Sequence, residues 1–159
     1  MDGIIHIRID DRLIHGQVAN FWCNNLNASR IMVINDAVYA DELQKTVLRM
    51  ATPSNVSSSI LGVDKAVENI KAGKYKGQRV FIVLKSPIDV VKVLEKGLPI
   101  KEINIGNLQG RKDTISIRQN VNLTQEELDA CKILEKNNVK ITAIMVPGDD
   151  SSAVKFNNL

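Results

Sequence analysis

Short apolar runs alternate with amphipathic stretches of helical period along the whole chain, and this alternation constrains the fold more than any other feature. Ile4–Ile9 reads as a strand, after which Val18, Phe21, Trp22 and Leu26 fall on one helical face. Ile31–Ile34 is a second strand, and residues 41–51 form a helix that stops before Pro53. Ser58–Val63 reads as a third strand, followed by a helix from Asp64 to about Ala72 with Gly73 as its stop. Val80–Leu84, apolar throughout, is the clearest buried strand, and Ser86-Pro87 then caps and opens a helix that ends at Gly97. Ile103–Ile105 is a short fifth strand, and Ile115–Leu123 is strand or extended chain. Thr124 and Glu127 form a capping box at the start of a helix whose Leu128, Cys131 and Leu134 face inward. Val139–Val146 is the last long strand, ended by Pro147, and residues 148–159 form a polar tail expected as a loop or short terminal element.

Strands that alternate with helices argue for an α/β fold: an open twisted sheet, mostly parallel, with helices on both faces. A chain of 159 residues suits one domain, 1–159, with a sizeable core, and neither a composition shift nor a repeat divides it. A net charge of +3 with only 4% aromatic residues argues against nucleic acid, which would need stacking platforms. It fits an acidic protein partner or a phosphorylated group better. The apolar runs are too short to span a bilayer, and the first residues carry charge too early for a signal peptide, so a role at a membrane would need separate membrane partners. Cys23 and Cys131 lie in helical patterns without C-x-x-C spacing and read as buried, reduced residues.

The stretch "IDDRLIHGQV", residues 9–18, gathers two acids, an arginine, a histidine and a glycine at the carboxyl end of the first strand. Ligands of such sheets bind there, at a topological switch point. His15 stands at or just before the first helix, where free amides and the helix dipole favour an anion. Gly16 allows close backbone approach. Arg12 offers a planar fork for phosphate oxygens. Asp10 or Asp11 can accept one imidazole N–H and leave the other nitrogen free as nucleophile. These are the parts needed to hold a phosphoryl group on a histidine. His6, inside the strand between Ile5 and Ile7, reads as a packed or surface histidine. Asn35-Asp36, Lys85-Ser86 and Gly106-Asn107 stand at other strand ends, where they could complete a pocket if they were neighbours.

The block "RIDDRLIHGQVANFW", with "VINDAV", "MATPSNV", "EINIGN" and a late "VP", resembles the IIB subunits of the bacterial phosphoenolpyruvate-dependent sugar phosphotransferase system, in the mannose/fructose/sorbose family. The resemblance covers nearly the whole chain. It implies that His15 is phosphorylated, at Nδ1, that Arg12 is the loop arginine, and that Asp10 belongs to the catalytic set. It also implies a phosphate-binding set of Gly16, Gln17, Lys85 and Ser86, with strand one beside strands two and four. The implied activity is that of a protein-phosphohistidine–sugar phosphotransferase. Phosphate would come from a IIA subunit or domain and go to a sugar held by membrane subunits IIC and IID. The chain would then be cytoplasmic and peripheral to the membrane complex, with no cofactor and no metal, and a homo-oligomer stays open.

Three rival readings fit less well. A receiver-like phospho-aspartate signalling domain would use Asp10 and Asp11 for Mg²⁺, Asp64 as acceptor and Ser86, but Gly106-Asn107 occupies the place of its required lysine. A histidine phosphatase sets arginine and histidine adjacent and needs a second histidine, and none follows position 15. A nucleotide-binding module needs a glycine-rich loop after strand one, which is absent.

Overall fold

The computed structural model describes residues 1–159, the side chains of Gln17 and Val18 lying outside the described part. Strands β1 (Ile4–Asp10), β2 (Arg30–Ile34), β3 (Ser57–Leu61), β4 (Val80–Leu84), β5 (Glu102–Asn107) and β8 (Lys140–Thr142) make one sheet in the order β3-β2-β4-β1-β5-β8. Every neighbouring pair in it is parallel. Between β5 and the helix that leads to β8, β6 (Ile115–Arg118) and β7 (Val121–Leu123) form an antiparallel hairpin.

One core lies on each face of the sheet, as an alternating strand pattern requires. Ile7, Ile9, Val80, Ile82 and Leu84 point to the face covered by helices α4 (Val63–Lys71), α5 (Pro87–Glu95) and α6 (Gln125–Lys136). Phe81, Val83, Ile31 and Val33 point to the other face, under α1 (Gly16–Leu26), α2 (Asp36–Tyr39) and α3 (Glu42–Met50). The buried side of α1 is Ala19, Trp22 and Cys23; Phe21 is 64% exposed, so it does not share that face as its spacing suggested, and the Val18 side chain lies outside the described part. The capping box stands as expected, with the Glu127 amide donating to Thr124 Oγ1 and Glu127 Oε1 accepting from the Thr124 amide. Ser86 caps α5 by accepting from the Ile88 amide.

Three expectations change. Strand β1 lies between β4 and β5, and β2 sits beyond β4, so the crossover from β1 to β2 passes over the position that β4 fills. The last strand ends at Thr142 rather than Val146. The cause is local: Asn104, buried in β5, turns its side chain on Ile144, its Oδ1 accepting from the Ile144 amide at 2.7 Å and its Nδ2 donating to the Ile144 carbonyl at 2.9 Å. Side-chain bonds thus replace the ladder. The tail is not merely polar. The Val154 amide donates to the Ile141 carbonyl, the Phe156 amide donates to Glu135 Oε2, and the Phe156 ring is fully buried in the core beneath α6.

Both cysteines are buried and free, and burial pushes their thiols up to about 11 for Cys23 and about 12 for Cys131. No helix among the described residues is long and apolar enough to cross a membrane.

His6 is packed, as its place in the strand suggested. It stacks on Trp22 at 5.0 Å between ring centroids and lies near Phe81, and its buried Nε2 has no hydrogen-bond partner. Burial first, then the charge of Arg8, pulls its pKa down to about 4.

This packing can be tested at both residues. Phe156→Ala empties a fully buried aromatic site, and urea unfolding should show a loss of about 3–5 kcal/mol. His6 takes up a proton more readily when unfolded, at about pH 6.5, than when folded, at about pH 4. Stability is therefore undiminished by it above pH 6.5 and is lost as pH falls from there through the folded value, by about 3 kcal/mol in all. Urea unfolding at stepped pH should show this loss in the wild type, and a His6→Phe variant should flatten that part of the profile.

Candidate functional site

The polar face of β1 carries His6, Arg8 and Asp10 in strict alternation, opposite Ile7 and Ile9. Arg8 is 2% exposed. A guanidinium cannot shed its charge, so its burial demands partners. Nη1 donates to the Ile144 carbonyl at 2.9 Å; Nη2 donates to the Met145 carbonyl at 3.2 Å and to Asp10 Oδ2 at 3.3 Å. The group lies 4.8 Å from the Trp22 ring centroid, and Trp22 Nε1 donates to the same Met145 carbonyl. Burial lowers the Arg8 pKa from its ordinary value, against the opposing pull of Asp10. Gly106 makes the room: a Cβ there would sit 1.9 Å from Arg8 Cζ.

Asp10, 1% exposed, is the hub. Its Oδ1 accepts from the Arg12 amide at 3.0 Å and from Arg12 Nε at 2.9 Å, and its Oδ2 accepts from Arg12 Nη2 at 2.9 Å and from Arg8. The hydrogen bonds to Asp10 raise the pKa of Arg12. One edge of the Arg12 fork is therefore spent on Asp10, and Nη1 with the outer N–H of Nη2 remains for a ligand. Asp11 is held from the β5 side, accepting from Asn107 Nδ2 and from the Gln109 amide, both at 2.9 Å. Neither aspartate accepts from the His15 imidazole, although the sequence suggests that one would; both are committed to the scaffold of the loop.

The chain turns sharply after Asp10, whose carbonyl accepts from the Leu13 amide at 2.9 Å. Leu13 adopts a left-handed φ of 60°, a strained conformation for leucine that its buried side chain holds in place. Leu13 and Ile14 are both buried, and they pin the loop to the core under α1. His15 and Gly16 come next and are exposed. His15 is the N-cap of α1, extended in backbone, with its carbonyl accepting from the Ala19 amide and its side chain making no capping bond. Gly16 has φ +38°, which disfavours other residues, and a Cβ there would meet open space. The imidazole thus stands at the positive end of the α1 dipole. Gln17, also expected at the phosphate, has its side chain outside the described part.

Lys85 and Ser86 lie beside this loop because β4 neighbours β1. With Asp11, Arg12 and Arg111 they line a cleft of about 570 Å³, of which His15 and Gly16 are not lining residues. The structure therefore brings Lys85 and Ser86 to the cleft that Arg12 lines. Asn35 and Asp36 do not join them. Asn35 caps α2 and donates to Asp89, and Asp36 accepts from the Val63 amide. Asn107 serves Asp11, and Gly106 serves Arg8. Asp64, the acceptor a receiver would need, is a solvent-facing carboxylate paired with Lys96 at 2.7 Å. Among the described residues no three His, Cys, Asp or Glu side chains gather in metal-binding range.

Sequence reasoning missed Arg8, Asn104 and the carbonyls of Ile144 and Met145, and it placed Gly106 at a strand end without its role of making room for Arg8. A signal for Arg8 existed: in "IHIRID" the polar residues recur with period two, so a charged side chain had to share a sheet face with His6 and Asp10. The distant carbonyls left none.

Residues 4–157 match the family described as "PTS system sorbose subfamily IIB component". The chain is 35% identical to the sorbose-specific EIIB component of Lacticaseibacillus casei, over 92% of this chain and 90% of that one. It is 34% identical to the mannose-specific EIIAB component of Escherichia coli K12, over 89% of this chain and 44% of the longer relative. Its fold superposes on the IIB domain of the sorbose permease from Klebsiella pneumoniae with a TM-score of 0.89 at 35% identity, covering 96% of this chain and 93% of that domain. With an exposed histidine at a helix start, an arginine three residues before it and this likeness from end to end, the chain belongs to the sorbose-type family of phosphotransferase-system IIB components.

Proposed function

We propose that His15 accepts a phosphoryl group from a phosphohistidine on a IIA subunit or domain and passes it to a sugar held by membrane subunits IIC and IID. The observation that carries this reading is the placement of His15: exposed, at the first turn of α1, immediately after two buried residues that fix the loop. A side chain that two large partners must reach in turn has to stand clear of the surface. The relative whose name joins an A part to the B part supports a IIA partner.

Phosphoryl transfer asks a protein for alignment and charge more than for covalent invention. The lone pair of one His15 nitrogen attacks phosphorus in line. The new N–P bond forms as the donor's N–P bond breaks, and the donor histidine, protonated on its other ring nitrogen, takes the bonding pair and leaves as a neutral imidazole. The equatorial oxygens meet the free edge of Arg12 and the first-turn amides about Gly16. Asp10 acts on Arg12, clamping its other edge so that the free one is aimed. Lys85 and Ser86, lining the cleft with Arg12, add a cation and a hydroxyl to the surface that receives the donor. In the second step a sugar hydroxyl oxygen takes the phosphoryl group, the N–P bond breaks, and the hydroxyl proton leaves to solvent or a base on the membrane subunits. The protein works at the cytoplasmic side of that complex, with fixed protein charges in place of a metal or cofactor.

Two outcomes test this. Isolated phospho-IIA mixed with the chain in excess chelator should place one phosphate on His15, located by mass spectrometry, acid-labile and stable to base and hydroxylamine. His15→Ala should abolish it and His6→Ala largely retain it. Equal loss in both variants, with folding intact, or an acyl phosphate would sink the reading. Arg12→Lys should slow transfer by about 10²–10³-fold in stopped-flow assays, since an ammonium cannot hold Asp10 and face the phosphate at once. A rate within a few-fold of wild type would remove Arg12 from the transition state.

A further inference from the structure

The transfer scheme gives the buried guanidinium of Arg8 no part. Arg8 lies under the loop, sealed from solvent, and touches the reaction only through Asp10. Counting charges in the strand end and turn gives Arg8 and Arg12 against Asp10 and Asp11. Without Arg8 the sum is −1, and a loop of that sign repels a phosphoryl group. With Arg8 the sum is zero, Asp10 is shared between two guanidiniums, and the outer edge of Arg12 keeps its positive character. Packing alone does not account for this choice. The site could be filled by an apolar side chain, yet it holds a guanidinium that two carbonyls, a carboxylate and an indole face must accommodate, and Gly106 is bare to admit it.

We infer that Arg8 is a positioning residue for phosphoryl transfer, the buried countercharge that stops Asp10 from cancelling Arg12. Resting on the phosphocarrier reading of His15, the inference assigns Asp10 two opposed effects: it aims Arg12, and it draws down the charge that Arg12 presents. Arg8 removes the second effect and keeps the first.

The charge sum can be set by mutation. Arg8→Met makes it −1, Arg8→Lys keeps it at zero, Arg8→Met with Asp10→Asn returns it to zero, and Asp10→Asn alone makes it +1. Inorganic phosphate is titrated into each variant while the backbone amide signals of His15 and Gly16 are followed by NMR, and kcat and KM are measured with phospho-IIA. Arg8→Met should weaken phosphate binding and raise KM by about tenfold each. Arg8→Lys should recover most of both. The double variant should recover phosphate binding and KM but keep a reduced kcat, because a neutral side-chain amide in place of the Asp10 carboxylate no longer clamps Arg12. Asp10→Asn alone should bind phosphate more tightly than wild type at a reduced kcat, and it tests the charge sum even if Arg8→Met fails to fold. A purely structural Arg8 predicts instead that Arg8→Lys is as impaired as Arg8→Met, or that the double variant is no better than Arg8→Met. Either result overturns the inference, as does a wild type whose loop amides ignore phosphate or an Asp10→Asn variant that binds it more weakly. Failure of phospho-IIA to load wild-type His15 strikes the phosphocarrier reading alone, since the phosphate titration judges Arg8 independently.

Discussion

A guanidinium taken out of water keeps its charge, and the partners it then requires come from wherever the fold can supply them. Arg8 draws its partners from three places, Asp10 in its own strand, Trp22 on α1 and the carbonyls of Ile144 and Met145 beyond β8, while Gly106 on β5 leaves the room for it. The position of each is constrained by the others. Asp10 is fixed by two arginines, Arg12 by Asp10, and the turn that follows by Leu13 and Ile14. The exposed histidine is thus the end of a rigid series that begins in the buried interior. A site built in this way sits on a strand end and a helix start instead of a free loop, which favours precise aim.

Most of the fold was legible because its elements are locally consistent. Val80–Leu84 is apolar throughout and becomes a fully buried strand. Ser86-Pro87 and Thr124 with Glu127 announce helix starts by chemistry that acts within a single turn. What failed was non-local. Val139–Val146 has strand character, yet pairing ends at Thr142, because Asn104, far earlier in the chain, captures the Ile144 backbone. Phe156 lies in a segment that reads as a polar tail, and its burial depends on packing beside α6 that no local pattern describes. Strand order was likewise invisible, since the sequence does not say that β4 lies between β1 and β2.

The candidate site divides in the same way. The types and spacing of Arg12, His15 and Gly16 suggested a phosphate site, and the structure sets His15 at the helix start where spacing put it. The partner of Asp10 was not legible. A carboxylate a few residues from a histidine suggests an imidazole contact, but an arginine two residues away on either side competes, and a planar fork with bidentate geometry wins. The cleft shared by Lys85, Ser86 and Arg12 depends on β4 lying against β1, and so on the strand order.

The hold that Ile144 and Met145 have on Arg8 bears on the order of events during synthesis. The strand that ends in the loop leaves the ribosome 136 residues ahead of the first of the two carbonyls that receive its buried arginine. Its two sheet neighbours, β4 and β5, also arrive well after it. Until they do, β1 is a central strand without a sheet, and its arginine and aspartate stay in water, where their pairing is weak. An unfinished chain therefore carries the loop and its histidine without the buried arginine–aspartate pairing that fixes them in the finished fold.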